Sequence, residues 1–521
     1  MVKNLTSYWY CMDQQLALEI LHAGHNVLLT GPAGAGKTYV LNQFIQAAKR
    51  DGKHVAVTAT TGLAATHIGG NTIHAWSGIG IHDQLPQDFE DYLLKSRRDI
   101  IETTDVLVID EISMLHDYRL DMVDTVARTV RDDPRPFGGI QLVMCGDFFQ
   151  LPPVNRDDKK QGSFVVNAEV WEELDPVICY LDEQHRQDDD EFLEILNALR
   201  GGDIRRRHAE RLLEQVGTDL DDDKVTELHT VNVDVDRINQ QRLNQLEAET
   251  HYYDMSTTGS ENYVATLKRS CLAQERLALK QGALVMAIKN SPERKYVNGS
   301  IGEVIGFEKG TDYPVVEFKN GKTVTMQPDG WELRDGDKKR AGIMQLPLRL
   351  AWAITVHKSQ GMTLDAARID LRRAFVEGMG YVALSRVRRL DNLSLLGLNN
   401  MALRISSEAL EIDERLRKKA SQDAKRLEHL RANVGKREKE ESAKAAEKQK
   451  KASSWAERLE KMREKHPNAY TPWKKTDDAT LTEKFQNGAS VKELSKLLGR
   501  NDRSIILRLQ KHFGEDVVTL S

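Results

Sequence analysis

Eight consecutive residues near the start of the chain have the types and spacing of a phosphate-binding loop: Gly31, Pro32, Ala33, Gly34, Ala35, Gly36, Lys37 and Thr38. They follow an apolar run at 26–30 and open an amphipathic stretch at 39–50, a pattern that predicts a strand, a tight turn and a helix N-terminus. The backbone N–H groups of such a turn converge on phosphate oxygens. We expect Lys37 to reach the outer phosphates of a nucleoside triphosphate and the Thr38 hydroxyl to ligate Mg²⁺.

Two carboxylates, Asp110 and Glu111, end a second apolar run at 106–109, and Asp110 lies 73 residues beyond Lys37. Alone, this pattern is about as often an ordinary strand end. After a phosphate-binding loop it predicts that Asp110 holds the Mg²⁺ and that Glu111 orients or deprotonates the attacking water. Gln150 follows a further apolar run at 140–145, where a glutamine can sense the γ-phosphate. Together these residues predict hydrolysis of a nucleoside triphosphate, but they do not say what the energy drives.

Two downstream motifs bear on that question: Thr355-Val356-His357-Lys358-Ser359-Gln360-Gly361-Met362-Thr363 and Tyr381-Val382-Ala383-Leu384-Ser385-Arg386. With the preceding motifs, and in this order, they resemble superfamily 1B DNA helicases of the PIF (petite integration frequency) type. The resemblance covers about residues 10–405. It is most specific at 126–131 and 136–153, and the latter ends in Gly146-Asp147-Phe148-Phe149-Gln150-Leu151-Pro152-Pro153. It implies a motor that uses ATP and Mg²⁺ and moves 5′ to 3′ on DNA.

The resemblance also assigns roles around ATP. It implies that Gln14, with Gln15 as its fallback, reads the adenine. Arg186 and Arg386 resemble arginine fingers that the second motor domain contributes, and such fingers stabilise the charge of the transferring phosphoryl group. Without these motifs, a lone arginine is more often part of a surface ion pair.

The resemblance implies a contact with single-stranded DNA for eight residues: Thr61, Gly62, Thr72, His74, Thr355, His357, Lys358 and Ser359. Gln360 and Gly361 lie where this DNA contact joins the ATP site. His357 is not expected to be a metal ligand, because no Cys/His/Asp cluster accompanies it.

The elements that must position these residues alternate along the chain before residue 410. The apolar runs at 26–30, 54–58, 106–109 and 140–145 are continuous, as in parallel strands covered on both faces, and amphipathic stretches lie between them. This predicts an α/β layered fold. The resemblance implies two RecA-like parallel-sheet domains with two insertions, with the following limits: 1–176 for the first motor domain, about 78–100 for a small wedge within it, 177–245 and 345–407 for the second motor domain, and 246–344 for an SH3-like β-barrel. Short runs at 282–288, 302–307 and 315–318, punctuated by turns, support a small β-barrel independently.

The charge of the chain is unevenly distributed. The 521 residues carry a net charge of −5, which taken alone disfavours a nucleic-acid partner. Residues 411–521 hold 27 Lys/Arg and 19 Asp/Glu, a net charge of +8, which leaves −13 for residues 1–410. This shift marks a boundary near 405–412. Residues 408–465 are rich in good helix formers and predict a charged, solvated helical linker, with a short coiled coil or partner helix as the alternative.

Residues 466–521 predict three short helices, at 476–487, 490–498 and 502–512, with Ser490 and Glu493 as a capping box. The expected core residues are Leu494, Leu497, Leu498, Ile505, Ile506 and Leu509. The layout resembles a helix-turn-helix domain with the third helix as recognition helix. Its candidate DNA contacts are Arg500, Arg503, Arg508 and Lys511. A three-helix module for protein interaction or stability is the alternative.

The sequence argues against a membrane-spanning protein, a protein with a signal peptide, a disulfide framework and a zinc ribbon. The chain has no apolar run of the ~18 residues that a membrane span needs, and residues 1–15 show no signal-peptide pattern. Its four cysteines form no CxxC pair, which argues for a reducing compartment. We expect a bacterial-type cytoplasmic protein, with a nuclear or organellar location left open.

The leading prediction is an ATP-dependent 5′–3′ DNA helicase for replication, repair or recombination. It would act as a monomer on single-stranded and forked DNA, with further contact to duplex DNA or protein through the C-terminal domain. The runner-up is a DNA-stimulated translocase that displaces proteins or recruits partners through its tail. A phosphate-loop ATPase unrelated to nucleic acid is the third class.

Overall fold

The computed structural model describes residues 12–434 and 460–514, apart from 81, 87–88, 94, 156–159, 185, 221–224, 272, 292, 294, 297, 336–337 and 461. The chain divides into two compact units, Met1–Arg431 and Ala432–Ser521. Within the described ranges, no helix has both the length and the apolar character to cross a membrane.

A six-stranded parallel sheet carries the phosphate-binding loop. Its strands lie in the order Asn71–Thr72, Val55–Ala59, Val106–Asp110, Gln141–Cys145, Val27–Thr30 and Val177–Tyr180. Alternate residues of one strand enter two different cores, such as Leu28 on one face and Leu29 on the other. This burial on both faces explains the continuous apolar runs, and the four predicted strands are confirmed.

The carboxyl ends of these parallel strands meet at one edge of the sheet, so the loops that follow Thr30, Asp110 and Cys145 converge there. The helices of this lobe, the first motor lobe, are Gln14–His22, Lys37–Arg50, Gly62–His67, Ile73–Ser77, Phe89–Tyr92, Lys95–Thr103, Asp117–Arg131 and Val170–Leu174. Short 3₁₀ helices lie at Ile112–Met114, Pro136–Gly139 and Val165–Asn167. The expected wedge, about 78–100, includes Phe89–Tyr92 and part of Lys95–Thr103, and its role stays a prediction.

A second parallel sheet forms the other motor lobe. Its strands lie in the order Ala353–Thr355, Thr226–His229, Ala367–Leu371 and Leu393–Leu398. Its helices are Asp190–Arg200, Arg206–Leu213, Asn232–Gln245 and Met379–Leu384, with 3₁₀ helices at His357–Ser359, Leu390–Asn392 and Asn400–Leu403. The two lobes confirm the α/β prediction with a parallel-sheet, RecA-like core.

Antiparallel strands occupy the segment between the two parts of the second lobe, and the last of them, Leu348–Leu350, lies beyond the limit of 344 expected for this insertion. A five-stranded sheet has the order Thr323–Thr325, Pro314–Phe318, Ile301–Phe307, Leu284–Ala287 and Leu348–Leu350. Asp329–Asp335, Lys338–Gln345 and Ser256–Gly259 form a second sheet, Arg276–Leu279 pairs with His251–Asp254, and Glu261–Ser270 is a helix. The SH3-like character of this insertion stays a prediction.

The helix Ser407–Leu427 corrects the expectation of a solvated linker from residue 408. One side of this helix is buried, through Ala409, Ile412, Leu416, Ala420, Ala424 and Leu427, and it packs on the strand Val177–Tyr180. Asp423 Oδ2 accepts a hydrogen bond from the backbone N–H of Ile178, at 3.0 Å. The helix therefore covers the edge strand of the first sheet and satisfies a donor there. A short 3₁₀ helix, Glu428–Asn433, follows, and the rest of the expected linker lies largely outside the described residues.

The C-terminal unit contains the helices Lys475–Gln486, Val491–Leu498 and Asp502–Phe513. Their core consists of Leu481, Leu494, Leu498, Ile505 and Leu509. The Ser490 hydroxyl accepts from the backbone N–H of Glu493, and the Glu493 carboxylate accepts from the backbone N–H of Ser490. The capping box therefore forms as predicted. Leu497 was expected in the core, but its side chain points outward and is 59% exposed.

Candidate active site and nucleic-acid interface

The phosphate-binding loop needs its glycines. Gly34 and Gly36 have φ values of +89° and +82°, in the left-handed region that favours glycine. A Cβ at Gly36 would lie 2.3 Å from Gln14 Nε2, and one at Gly34 would lie 2.7 Å from the Arg186 Cβ. The loop therefore turns tightly while side chains from both motor lobes approach its backbone.

A cavity of about 360 Å³ lies above this loop, between the two motor lobes. All six predicted catalytic residues line it: Lys37, Asp110, Glu111, Gln150, Arg186 and Arg386. So do Ala33, Gly34, Ala35, Gly36, Thr38 and Gly361. Residues as far apart in sequence as Ala33 and Arg386 thus surround one space with the size and lining of a nucleotide site.

Lys37 and Gln14 are both attached to the loop. Lys37 Nζ donates to the carbonyls of Gly31 and Pro32, at 2.8 and 2.9 Å, and burial lowers its pKa. Gln14 Nε2 donates to the carbonyl of Ala35 at 3.4 Å, whereas Gln15 is exposed. Of the two glutamines, Gln14 therefore fits the predicted adenine-reading position.

The two carboxylates lie at the strand end, as their sequence position indicated. Asp110 Oδ1 accepts from the backbone N–H of Glu111 at 2.9 Å, and Glu111 has a left-handed φ of +53° that turns the chain there. Burial raises the pKa of Glu111, and the neighbouring Asp110 charge raises it further. Thr38 and Asp110 line the same cavity with a hydroxyl and a carboxylate, the hard oxygen donors that suit Mg²⁺ beside phosphate and water.

The two arginines approach the cavity from the second lobe. Arg186 Nη1 donates to the carbonyl of Ser385 at 3.1 Å. Arg386 is 1% exposed, and its guanidinium donates to the Val382 carbonyl and to the Ser385 hydroxyl, each at 2.8 Å. Burial lowers the pKa of Arg386 to about 9, and the Arg186 charge adds to this effect. Two cations held this close favour an anion between them and the phosphate-binding loop.

Gln360 connects three parts of the site. Its Nε2 donates to Glu111 Oε2 at 2.9 Å and to Gln150 Oε1 at 3.3 Å. Gln360 directly follows the 3₁₀ helix His357–Ser359, which carries predicted DNA contacts. One side chain therefore joins the predicted water-activating carboxylate and the predicted γ-phosphate sensor to the predicted DNA-binding segment.

A buried network behind the cavity includes residues that had no role predicted from the sequence. The Tyr381 hydroxyl accepts from the backbone N–H of Ala33 at 3.0 Å and donates to Asp147 Oδ2 at 3.4 Å. Arg200 Nη2 donates to Asp147 Oδ1 at 3.2 Å and to Asp413 Oδ1 at 3.4 Å. Tyr381 and Asp147 belong to the motifs at 381–386 and 146–153, but no local pattern marks Arg200. The network connects the phosphate-binding loop and Asp147 of the first lobe with Tyr381 and Arg200 of the second lobe.

A smaller cavity of about 140 Å³ adjoins the first one. Thr61, His357 and Gln360 line it together with Thr38, Ala64, Ile68, Asp110, Glu111 and Gly361. Gly62 begins the helix Gly62–His67, and Thr61 accepts from the Ala64 N–H at 3.2 Å. The structure thus brings predicted DNA-binding residues of both lobes next to the carboxylates of the nucleotide cavity.

Thr72 and His74 lie further along the first lobe. Thr72 caps a helix by accepting from the Ala75 N–H at 3.1 Å. Burial lowers the pKa of His74 to about 4, with the nearby charge of Arg119 adding to the effect. His74 is therefore neutral at neutral pH and would offer a strand hydrogen bonding or stacking rather than charge.

Two of the four predicted contacts in the second lobe need correcting. Ser359 is fully buried and donates to the Val356 carbonyl at 2.8 Å, and the buried Thr355 hydroxyl accepts from the Lys358 N–H at 3.3 Å. Both side chains therefore bond within their own loop and are shielded from solvent. His357 and Lys358 remain on the accessible side, with Lys358 Nζ donating to Asn232 Oδ1 at 3.0 Å.

The C-terminal unit uses two of its candidate arginines internally. Arg500 is 3% exposed, and its guanidinium donates to the carbonyls of Thr471 and Pro472. It therefore holds the fold together, contrary to the DNA contact expected of it. Arg508 forms an ion pair with Asp478, whereas Arg503 and Lys511 are exposed.

Known proteins resemble most of the chain. Residues 12–210 match the PIF1-like helicase family. The ATP-dependent DNA helicase Pif1 of Psychrobacter sp. (strain PRwf-1) is 41% identical over 468 residues, covering 78% of this chain and 71% of the relative. The human ATP-dependent DNA helicase PIF1 is 38% identical over 415 residues, covering 78% of this chain and 64% of the relative.

A crystal structure of Pif1 helicase from Bacteroides in complex with ADP-AlF3 and ssDNA superimposes with a TM-score of 0.60 at 32% sequence identity. The match covers 78% of this chain and 96% of that one. Sequence and fold therefore agree with the motifs collected around the nucleotide cavity: the chain belongs to the PIF1-like helicase family.

Proposed function

We propose that this chain is an ATP-dependent DNA helicase that moves 5′ to 3′ along single-stranded DNA and unwinds duplex or forked DNA as a monomer. The contacts of Gln360 carry the proposal, since this side chain bonds both Glu111 and Gln150 and lies two residues from Lys358. Events at the γ-phosphate thus have a direct route to a DNA-binding loop. The polarity follows from the family.

Hydrolysis would take place between the lobes. The loop N–H groups and Lys37 hold the phosphates, Glu111 accepts a proton from the attacking water, and Arg186 and Arg386 stabilise the charge that spreads over the transferring phosphoryl group. Thr38 and Asp110 would hold Mg²⁺, which would supply neutralisation of the phosphate charge when bound. Because the arginines belong to the second lobe, bound ATP favours a closed cleft between the lobes, and loss of ATP favours an open cleft. The two lobes can therefore grip the DNA strand alternately.

The first test is ATP hydrolysis with and without single-stranded DNA. Turnover should rise with strand concentration to a plateau, because the DNA-binding loop and the water-activating carboxylate are joined. A rate indifferent to DNA would place the protein among unrelated phosphate-loop ATPases. The second candidate, a translocase that displaces proteins, would remove streptavidin from a biotinylated strand without separating a duplex on the same substrate.

The affinity for single-stranded DNA should depend on pH through Lys358. Burial lowers the pKa of Lys358 to about 8, and the neighbouring Arg349 charge adds to the effect. The ammonium is therefore charged below pH 8 and loses its proton above it, so affinity should fall about tenfold once the phosphate contact loses its charge. Fluorescence anisotropy between pH 7 and 9 measures this change.

Lys358→Arg is the matched control for the pH effect, since a guanidinium stays charged throughout this range. The variant should bind with little pH dependence. An equally steep loss of affinity in Lys358→Arg would show that another group titrates.

We further propose that the positive tail, residues 411–521 with a net charge of +8, adds salt-sensitive DNA affinity that the acidic motor, residues 1–410, lacks. Deleting residues 466–521 should leave ATP hydrolysis intact and reduce the slope of log affinity against log salt concentration, because fewer counterions are released on binding. Titrations at several salt concentrations measure the slope. A salt slope that the deletion leaves unchanged would count against a DNA-binding tail. Equal affinity of the full-length protein for duplex and forked DNA would also count against it.

A further inference from the structure

Phe375 is an exposed aromatic residue beside the predicted DNA contacts of the second lobe. It lies in the loop between the strand Ala367–Leu371 and the helix Met379–Leu384, and its side chain is 58% exposed. Its ring stacks on that of His357, with centroids 6.1 Å apart and planes 17° from parallel. An exposed aromatic ring that stacks on a histidine beside predicted DNA contacts can offer its face to a flat ligand such as a nucleobase.

A cavity of about 300 Å³ lies next to this ring. Phe375 and Val376 line one side, and Pro152, Pro153 and Phe164 of the first lobe line another. Both lobes therefore contribute apolar walls, and the cavity sits at their junction. The walls suit a flat ring that is stacked against Phe375 and bordered by the two prolines.

The charges around the cavity favour a base inside it and a phosphate outside it. Glu377 and Glu408 also line the cavity, and their carboxylates disfavour a phosphate inside it. On the His357 side, Lys358 donates to Asn232, and the exposed Arg373 pairs with Asp234 at 3.1 Å. Cations outside and an aromatic wall inside are the combination that binds single-stranded nucleic acid by its backbone and stacked bases.

We propose that this cavity holds one base of the single strand, stacked on Phe375, while Lys358 and Arg373 contact the adjoining phosphates. This inference rests on the proposed helicase function and names a contact within its DNA path. Pro152 and Pro153 follow Gln150, the predicted γ-phosphate sensor, by two and three residues. Movement of Gln150 on ATP binding would therefore shift one wall of the base site directly.

The site is tested with full-length protein and a single strand that carries 2-aminopurine at one position, moved along the strand from probe to probe. Stacking on an aromatic ring quenches this base, so wild-type protein should quench it at a defined position. Phe375→Ala should abolish that quench and weaken binding about five- to a hundredfold, the usual range for a stacked base. Phe375→Trp should restore both.

Tyr252→Ala is the control, since Tyr252 is an aromatic residue of similar exposure, 56%, in the antiparallel insertion. It should bind and quench as wild type does. Unchanged affinity and quench in Phe375→Ala, or no position-dependent quench with the wild-type protein, would overturn the base site alone. Wild-type protein that binds no single strand would overturn both the base site and the proposed function.

Discussion

Arg386→Ala is expected to lower the rate of ATP hydrolysis by about three to five orders of magnitude, the usual effect of losing an arginine finger. The guanidinium lines the nucleotide cavity from the second lobe and is fully desolvated there, so its charge acts on the phosphoryl group with little screening. Single-turnover and steady-state measurements with saturating DNA give the rate. ATP binding, measured separately, should remain detectable, because Lys37 and the loop backbone are untouched.

Arg386 also donates to backbone carbonyls, so a folding control is needed. Arg389→Ala removes an arginine three residues away whose side chain is half exposed and paired with Asp391. This variant should hydrolyse ATP at the wild-type rate, and both variants should melt cooperatively. A folded Arg386→Ala protein that keeps more than a tenth of the wild-type rate would contradict the role of this arginine.

Glu111→Gln is expected to lower ATP turnover by about two to four orders of magnitude, the range for a lost general base. The amide keeps the size of the side chain and can still accept from Gln360 Nε2, but it cannot take a proton from water. Affinity for ATP and for single-stranded DNA should therefore be nearly unchanged while turnover collapses. Rapid-quench measurement of phosphate release separates the chemical step from binding.

Glu172→Gln is the matched control, because Glu172 is exposed on the helix Val170–Leu174 of the same lobe. It should show wild-type turnover. Retained hydrolysis in Glu111→Gln, at a rate near that of Glu172→Gln, would mean that another group activates the water.

The chemistry of the first lobe could be predicted from sequence because it is local. The loop at Gly31–Thr38, the carboxylates at 110–111 and Gln150 each follow an apolar strand, and parallel strands bring their carboxyl ends to one edge. The arginines of the second lobe are different. Arg186 and Arg386 are separated from the loop by long stretches of chain, so only the family resemblance indicated that they reach the same cavity.

The helix Ser407–Leu427 shows what a composition argument leaves out. Its charged composition predicted a solvated linker, yet Ala420 and Ala424 let the helix approach the strand Val177–Tyr180 closely. Asp423 then satisfies a backbone donor of that edge strand. Small residues and a buried acid do not count as an apolar stripe, so the packing partner, 245 residues before Asp423 in the chain, gave no signal.

Arg500 and Arg200 show the same limit for charged residues. Arg500 lies two residues before the helix Asp502–Phe513, the predicted recognition helix, but its guanidinium covers Trp473 at 4.2 Å and bonds backbone carbonyls. Arg200 is the last residue of the helix Asp190–Arg200, a position where a charged side chain commonly faces solvent. Its guanidinium instead lies over Phe149 at 4.1 Å and pairs with the buried Asp147. In both cases tertiary contacts, which local sequence does not encode, decide whether an arginine faces solvent.

The net charge of −5 is the sum of −13 for residues 1–410 and +8 for residues 411–521. An acidic motor can hold DNA through polar contacts, stacking and a few cations such as Lys358, without a basic surface. The charge of the whole chain therefore does not argue against a nucleic-acid partner.

Strand displacement on tailed duplexes tests the central claim most directly. The same duplex is prepared with a 5′ or a 3′ single-stranded tail and incubated with the full-length protein, ATP and Mg²⁺. A 5′–3′ helicase should separate the 5′-tailed duplex in an ATP-dependent reaction that Glu111→Gln abolishes, and it should leave the 3′-tailed duplex intact. Separation of the 3′-tailed duplex alone, or of neither duplex under conditions where DNA stimulates ATP hydrolysis, would contradict the account.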